Sequence, residues 1–137
     1  DLQTDPRYLV RKFQAGAEFA IAQLFHEADD FLRLRDRLAA AGVDAPLLPG
    51  VMPLTTPRTL HKTIELSGAP APEWLLRRLE PLADDKKAFR AEGLDVTTEL
   101  CERLLAEGVP NLHFYTFNRS KATREVVTRL GLVPVRA

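Results

Sequence analysis

Apolar residues recur along this chain in two rhythms, and glycines mark where one gives way to the other. Phe31, Leu34, Leu38 and Ala41 fall three or four positions apart, the spacing of one face of an α-helix. Phe89, Val96, Leu100 and Leu104 form a similar stripe over a longer stretch, and Leu9 and Phe13 stand one turn apart after Asp5 and Pro6. Three short apolar runs interrupt these stripes. They lie within "FQAGAEFAIAQLF", "LAAAGVDAPLLPGV" and "LLAEGVPNLHFYTF", each built as a helix end, a glycine, a polar step and a run. Gly16, Gly42 and Gly108 suit the left-handed position that ends helices. The runs are short and not strictly alternating, as expected of parallel strands covered on both faces. Within "AEFAIAQLF", residues 17 to 25, Phe19, Ile21, Gln23 and Phe25 share one face, and Ala20, Ala22 and Leu24 share the other.

The rest of the chain is helical in pattern. Asn118 or Ser120 can cap a last helix reaching Leu130, and Gly131 follows. Two shorter helices are predicted around Arg58–Ser67 and Pro72–Leu79, with Pro70 and Pro72 as punctuation and Trp74 packing between them. The predicted order is helix, strand, helix, strand, three helices, strand, helix. Such alternation means right-handed crossovers and a parallel sheet. Three strands cannot close on themselves, and a complete (β/α)₈ barrel takes about 250 residues. The pattern therefore describes the second half of such a barrel or a piece of an open α/β sheet.

Composition narrows the classes. The 137 residues carry 19 Lys plus Arg against 19 Asp plus Glu, so the formal net charge is zero. That balance gives nothing that favours nucleic acid or an anionic membrane over a small molecule. No apolar run approaches the ~20 residues of a spanning helix. The single Cys101 excludes an internal disulfide and suits a reducing compartment. His26, His61 and His113 are dispersed and have no Cys or carboxylate at ligand spacing, so no metal is expected. Neither a dinucleotide fingerprint, a P-loop nor a Gly-x-Ser-x-Gly elbow is present. Cys101 falls beside a helical stripe and reads as core.

Ligands of parallel α/β sheets bind beyond the carboxyl ends of the strands. Gln23 stands at one such end. Its amide can pair with a heterocycle or cap a loop carbonyl, and pattern alone favours the cap. "PLLPGVMPL", residues 46 to 54, reads as a rigid turn at a second end, with Pro49, Gly50 and Pro53 as its fixed points. At the third, Arg119 beside a helix start suits a carboxylate or phosphate, or is a solvated side chain next to a capping Asn118. Asp5, Arg11 and Lys12 cluster on the first helix. Arg11 and Lys12 can meet a pyrophosphate, although a charged solvated face is the commoner reason for such residues.

With these residues in view, the sequence resembles the C-terminal part of the catalytic barrel of methylenetetrahydrofolate reductases. The resemblance rests on "DPRYLVRKFQAGAEFAIAQLF", "DDFLRLRDRLAAAGVDAPLLPGVMP", "PEWLLRRLEPL" and "EGVPNLHFYTFNR", which follow in order over essentially the whole chain. It implies an α/β fold: the second half of a (β/α)₈ TIM barrel with extra helices before the last strand. Residues 1–137 would form the C-terminal portion of one FAD-dependent reductase domain, whose N-terminal strands are absent from this chain. It implies FAD reduced by NADH or NADPH, then hydride passed to 5,10-methylenetetrahydrofolate in ping-pong order. A role in one-carbon metabolism and methionine biosynthesis, a cytoplasmic location, a folate substrate and a homo-oligomer follow from the same likeness; neither nucleic acid nor membrane is implied as a partner.

By the same resemblance Gln23 contacts the folate, Arg119 lies near its glutamate tail, and Asp5, Arg11 and Lys12 serve the ribose and phosphate side of FAD. Ala17 matches a position where a larger side chain weakens flavin retention. The family's general acid, a Glu on the first barrel strand, is expected outside this chain, which leaves no catalytic residue within it. Tyr8, Thr59 and Thr63 depart from an Asn, a Gln and a Phe of some members, and His26 replaces a frequent aromatic. Two alternatives stand beside the reductase: a non-catalytic fragment or binding module descended from the barrel, and a folate-binding methyltransferase-type barrel. The latter accounts for Gln23 but not for Asp5, Arg11 and Lys12.

Overall fold

The computed structural model describes residues 6–16, 18–22, 24–44, 46–115 and 121–132. Pro6 opens α1 (Pro6–Gln14), where a missing N–H costs nothing. β1 (Ala20–Ile21), α2 (Ala28–Ala40), β2 (Leu47–Leu48) and β3 (Gly50–Val51) follow. Next come α3 (Pro57–Ser67), α4 (Glu73–Leu79), a 3₁₀ turn (Glu80–Leu82), the long α5 (Lys86–Ala106), β4 (His113–Phe114) and α6 (Lys121–Arg129). The element order is the one the hydrophobic pattern predicts, with α3 and α4 as the extra helices before the last strand. The fold is α/β and mostly helical.

Three helices end on one device. Gly42, Gly108 and Gly131 have φ of 80°, 83° and 73°. In each case the next N–H reaches back to the helix: Val43 to Leu38 O, Val109 to Leu104 O and Leu132 to Val127 O. This closes the orphan carbonyls of the last turn, and only glycine takes that backbone without steric cost.

The strands are much shorter than the apolar runs. β1 pairs in parallel with β2, Ala20 opposite Leu47, and β3 pairs in parallel with β4, Gly50 opposite His113. Pro49 alone separates β2 from β3. One stretch therefore serves both neighbours, β1 through its first half and β4 through its second. Pro49 has no N–H to give, but its carbonyl accepts from His113 N–H at 2.9 Å. The expected rigid turn at Pro49 and Gly50 is thus a strand that changes partner, and the chain leaves the sheet only after Val51.

Burial distinguishes the two faces. Ala20 and Leu47 pack with Val10, Phe13 and Leu38, and Val51 and Phe114 with Leu94, Cys101 and Val126. These are the faces covered by helices. On the opposite face Phe19 is 54% and Ile21 38% exposed. α5 anchors the covering layer. Leu104 packs with Ala22, Phe31 and Leu32, while Phe89 and Val96 pack with Leu60, Leu75 and Leu79 of α3 and α4. Ion pairs tie α5 to its neighbours: Arg78 to Glu92 and Glu99, Arg90 in a fork to Glu125, and Arg103 to Asp29. Each exposed pair contributes on the order of 0–1 kcal/mol. Leu75 and Leu79 form the buried contact with α3, while Trp74, expected to pack these helices, is 38% exposed. Its indole N–H instead donates to Glu27 Oε1 at 2.8 Å, linking α4 to the β1–α2 connection.

Candidate functional site

Parallel ladders bring the carboxyl ends of β1, β3 and β4 together. Ala22 N–H donates to Leu48 O at 2.7 Å, and Tyr115 N–H donates to Val51 O at 2.9 Å. Gly50 lies between these two contacts. A Cβ there would stand 2.7 Å from Tyr115 Cε2 and 2.8 Å from Ala22 O, so only a glycine allows the three segments this approach. The Tyr115 ring meets the His113 ring edge-on, with centroids 4.9 Å apart. Tyr115 is half-buried at the end of β4, two residues from His113 and on the same face. It is a candidate site residue that the sequence reading did not single out. Its backbone N–H extends the β3–β4 ladder by one residue, at the strand end where ligands of this architecture bind.

Of the residues picked from sequence, Asp5, Gln23 and Arg119, with Ala17, lie outside the described residues. Arg11 and Lys12 are placed. Both are exposed in the last turn of α1, at successive positions and therefore about 100° apart around the helix. Among the described residues neither has an ion-pair partner. A helix C-terminus already favours cations there. Two cations without ion-pair partners among the described residues are donor chemistry of the kind a diphosphate takes.

Thr59 and Thr63 have other work. The Thr59 hydroxyl donates to Thr56 O at 2.7 Å and accepts from Thr56 N–H, completing a capping box with the Thr56 side chain at the start of α3. The Thr63 hydroxyl donates to Thr59 O at 2.8 Å and touches Met52 Sδ at 3.4 Å. Both hydroxyls are thus engaged within α3 and the segment before it.

His26 follows the β1 segment and is 9% exposed. Among the described residues its Nε2 has no hydrogen-bond partner. Burial holds its pKa below the ordinary histidine value, with Asp30 and Glu27 pulling more weakly the other way. The ring is neutral at pH 7. Cys101 is fully buried, and burial pushes its thiol up to about 12. It is packing, not a nucleophile. Among the described residues no three His, Cys, Asp or Glu side chains are placed to hold a metal ion, and no helix is long and apolar enough to cross a membrane.

The family model for methylenetetrahydrofolate reductase matches residues 1–131. The chain is 34% identical over 133 residues to methylenetetrahydrofolate reductase 1 of Schizosaccharomyces pombe, covering 97% of this chain and 22% of that protein. It is 33% identical over 132 residues to 5,10-methylenetetrahydrofolate reductase of Escherichia coli strain K12, covering 96% of this chain and 45% of that one. The chain therefore spans less than half the length of these curated relatives. Among solved structures, it superposes with a TM-score of 0.59 and 18% identity on an uncharacterized protein from Clostridium thermocellum. That protein binds two copies of 5-methyl-5,6,7,8-tetrahydrofolic acid, and the match covers 91% of this chain and 46% of the other. This last likeness is one of fold.

Proposed function

Because the chain belongs to the methylenetetrahydrofolate reductase family, we propose that it is the C-terminal portion of an FAD-dependent (β/α)₈ reductase domain. The family match over residues 1–131 carries this reading. Two features of the fold support the barrel. The three strand segments are parallel and neighbour each other in chain order, as barrel strands do, whereas a doubly wound sheet reverses order at a switch point. The face carrying Phe19 and Ile21 stays open, and in a complete barrel it would be the filled interior.

The chemistry supplied by bound FAD is hydride transfer from NADH or NADPH to 5,10-methylenetetrahydrofolate, yielding 5-methyltetrahydrofolate. This chain's residues bind and orient. Arg11 and Lys12, with Asp5, hold the diphosphate and ribose side of the cofactor. Sequence alternation assigns Gln23 to the face of Ile21 at a strand's carboxyl end, where its amide pairs with the donors and acceptors of a pterin. Arg119 takes a carboxylate of the glutamate tail through its fork. Tyr115 walls the mouth beside them. The proton donor belongs to the part of the protein outside these 137 residues. A folate is also the ligand of the Clostridium thermocellum protein of similar fold.

The test separates the two half-reactions of the full-length, flavin-loaded enzyme by rapid mixing. Gln23→Ala should slow flavin reoxidation by the folate about tenfold or more, the worth of one charge-neutral amide contact or two, while flavin reduction by NAD(P)H changes much less. Equal losses in both would make Gln23 a structural cap. A full-length product that purifies without flavin and oxidises no NAD(P)H in the presence of a folate would overturn the reductase reading.

A further inference from the structure

Two connections leave the carboxyl ends of neighbouring strand segments. One runs from β1 to α2. The other is the α3–α4 insertion, between β3 and α5. The insertion is held from behind: Leu60, Leu75 and Leu79 pack on Phe89 and Val96 of α5, and Arg78 bonds Glu92 and Glu99. Its meeting with the β1–α2 connection is looser. Phe25 and His26 on one side and Thr63 and Leu75 on the other border a cavity of ≈ 20 Å³. The directional contact there is the hydrogen bond from the Trp74 indole N–H to Glu27 Oε1, 2.8 Å long between residues 47 positions apart.

Both partners depart from the usual roles of their residue types. Glu27 stands at the N-cap of α2, where Ser, Thr, Asp and Asn are preferred because their short side chains reach the free N–H groups of the first turn. Among the described residues its side chain makes no cap bond, and it reaches α4 instead. Trp74 is the one tryptophan of the chain. It stays partly exposed beside the core that Leu75 and Leu79 enter. A capping residue would serve α2 better by itself, and a buried ring would serve α4 better. The pair is explained by the two connections it joins rather than by either helix.

We propose that Trp74 is a positioning residue for the folate. It holds Glu27, and so fixes the path of the connection that begins at Gln23, four residues earlier in the sequence. Leu24 and His26 are buried between them, which leaves this short stretch little slack to absorb a shift at Glu27. The inference rests on the reading of Gln23 as the folate contact. An amide pairs well in one direction only, because a hydrogen bond weakens steeply with misalignment. Trp74 touches no ligand itself and acts through Glu27.

The test uses full-length, flavin-loaded enzyme and follows the two half-reactions separately. Trp74→Phe keeps a ring and removes the N–H, Glu27→Ala removes the acceptor, and Glu27→Gln keeps Oε1. The first two should each raise the concentration of 5,10-methylenetetrahydrofolate that half-saturates flavin reoxidation by about threefold to tenfold, the loss of one hydrogen bond. Flavin reduction by NAD(P)H should be unchanged in all three. The double variant Trp74→Phe/Glu27→Ala should be no worse than either single one, since both break the same bond, and Glu27→Gln should stay near wild type. Deuterium exchange over residues 24–27 should be faster in Trp74→Phe, with α5 unaffected. Unchanged half-saturation in Trp74→Phe, equal losses in both half-reactions, additive losses in the double variant, Glu27→Gln as impaired as Glu27→Ala, or unchanged exchange over residues 24–27 would each overturn the inference alone. A wild type whose reduced flavin does not react with the folate would instead overturn the reading of Gln23, and the inference with it.

Discussion

His26 and Cys101 are both buried and titratable, and burial moves them in opposite directions because it penalises whichever form is charged. Cys101, pushed up to about 12, stays a thiol at pH 8. Iodoacetamide should therefore label it slowly in the folded protein and rapidly in urea, counted by mass spectrometry; fast labelling of the native state would mean that the α5–α6 contact opens readily. For His26 the folded pKa is lowered from 6.5, so the unfolded chain binds more protons below that value. Stability is then fully present above pH 6.5 and falls as pH drops toward the folded value. Asp30 and Glu27 oppose the shift without cancelling it. The urea midpoint should fall between pH 7.5 and 5.5, and His26→Phe should flatten that dependence. Cys101 could be read as core from sequence because it falls beside a helical stripe. The burial of His26 could not, since it sits in a connection between strand and helix where no periodicity assigns a face. Tyr115 was missed for a related reason: its role comes from lying over Gly50, a contact between segments far apart in the chain.

Glycine within a helix usually weakens it by about 0.5–1 kcal/mol relative to alanine. Gly93 in the middle of α5 is an exception that the packing explains. A Cβ there would fall 1.7 Å from Leu54 O. One turn on, the Thr97 hydroxyl accepts from Leu54 N–H at 3.2 Å and donates back to Gly93 O at 2.8 Å. The segment leaving β3 is thus pressed onto α5 at one small residue and pinned at the next. Gly93→Ala should destabilise the protein by about 1–3 kcal/mol, the usual cost of forcing atoms into a packed interior, rather than stabilise it through helix propensity. The urea midpoint decides, and a more stable variant would show that Leu54 can move aside. Helices were legible where apolar stripe and terminal glycine agree on a boundary, as with α2 ending before Gly42. Strands were legible as runs but not in extent. "AEFAIAQLF" has seven apolar residues among its nine, yet only Ala20 and Ile21 form a described ladder, because pairing depends on a neighbour that the run does not contain. Pro49 likewise reads as a turn from sequence, and only the ladder partners on either side reveal it as the point where one strand changes neighbour.

At the scale of the whole molecule, the two faces of the strands predict how the chain behaves by itself. The helix side is closed by Phe31, Leu79, Phe89 and Leu104, each at most 2% exposed. The other side leaves Phe19 and Ile21 open, and among the described residues β1 and β4 each pair along one edge only. Exposed apolar surface beside unpaired strand edges is a template for association. The 137 residues expressed alone should therefore self-associate, bind a hydrophobic dye and unfold over a broad range. Adding the remainder of a (β/α)₈ barrel, about 110–150 residues on the scale of that fold, should give a monodisperse, flavin-binding protein with one sharp transition. Phe19→Ser and Ile21→Thr separate this explanation from plain instability. Both sit on the open face, so they should raise the soluble fraction of the short chain while lowering the stability of the completed domain, where the same positions would be core. Size-exclusion chromatography and urea unfolding on both lengths read the two effects. If the short chain alone is a monomer with cooperative unfolding, or if the substitutions act in the same direction in both contexts, the open face is a true surface and the half-barrel reading of the fold is wrong.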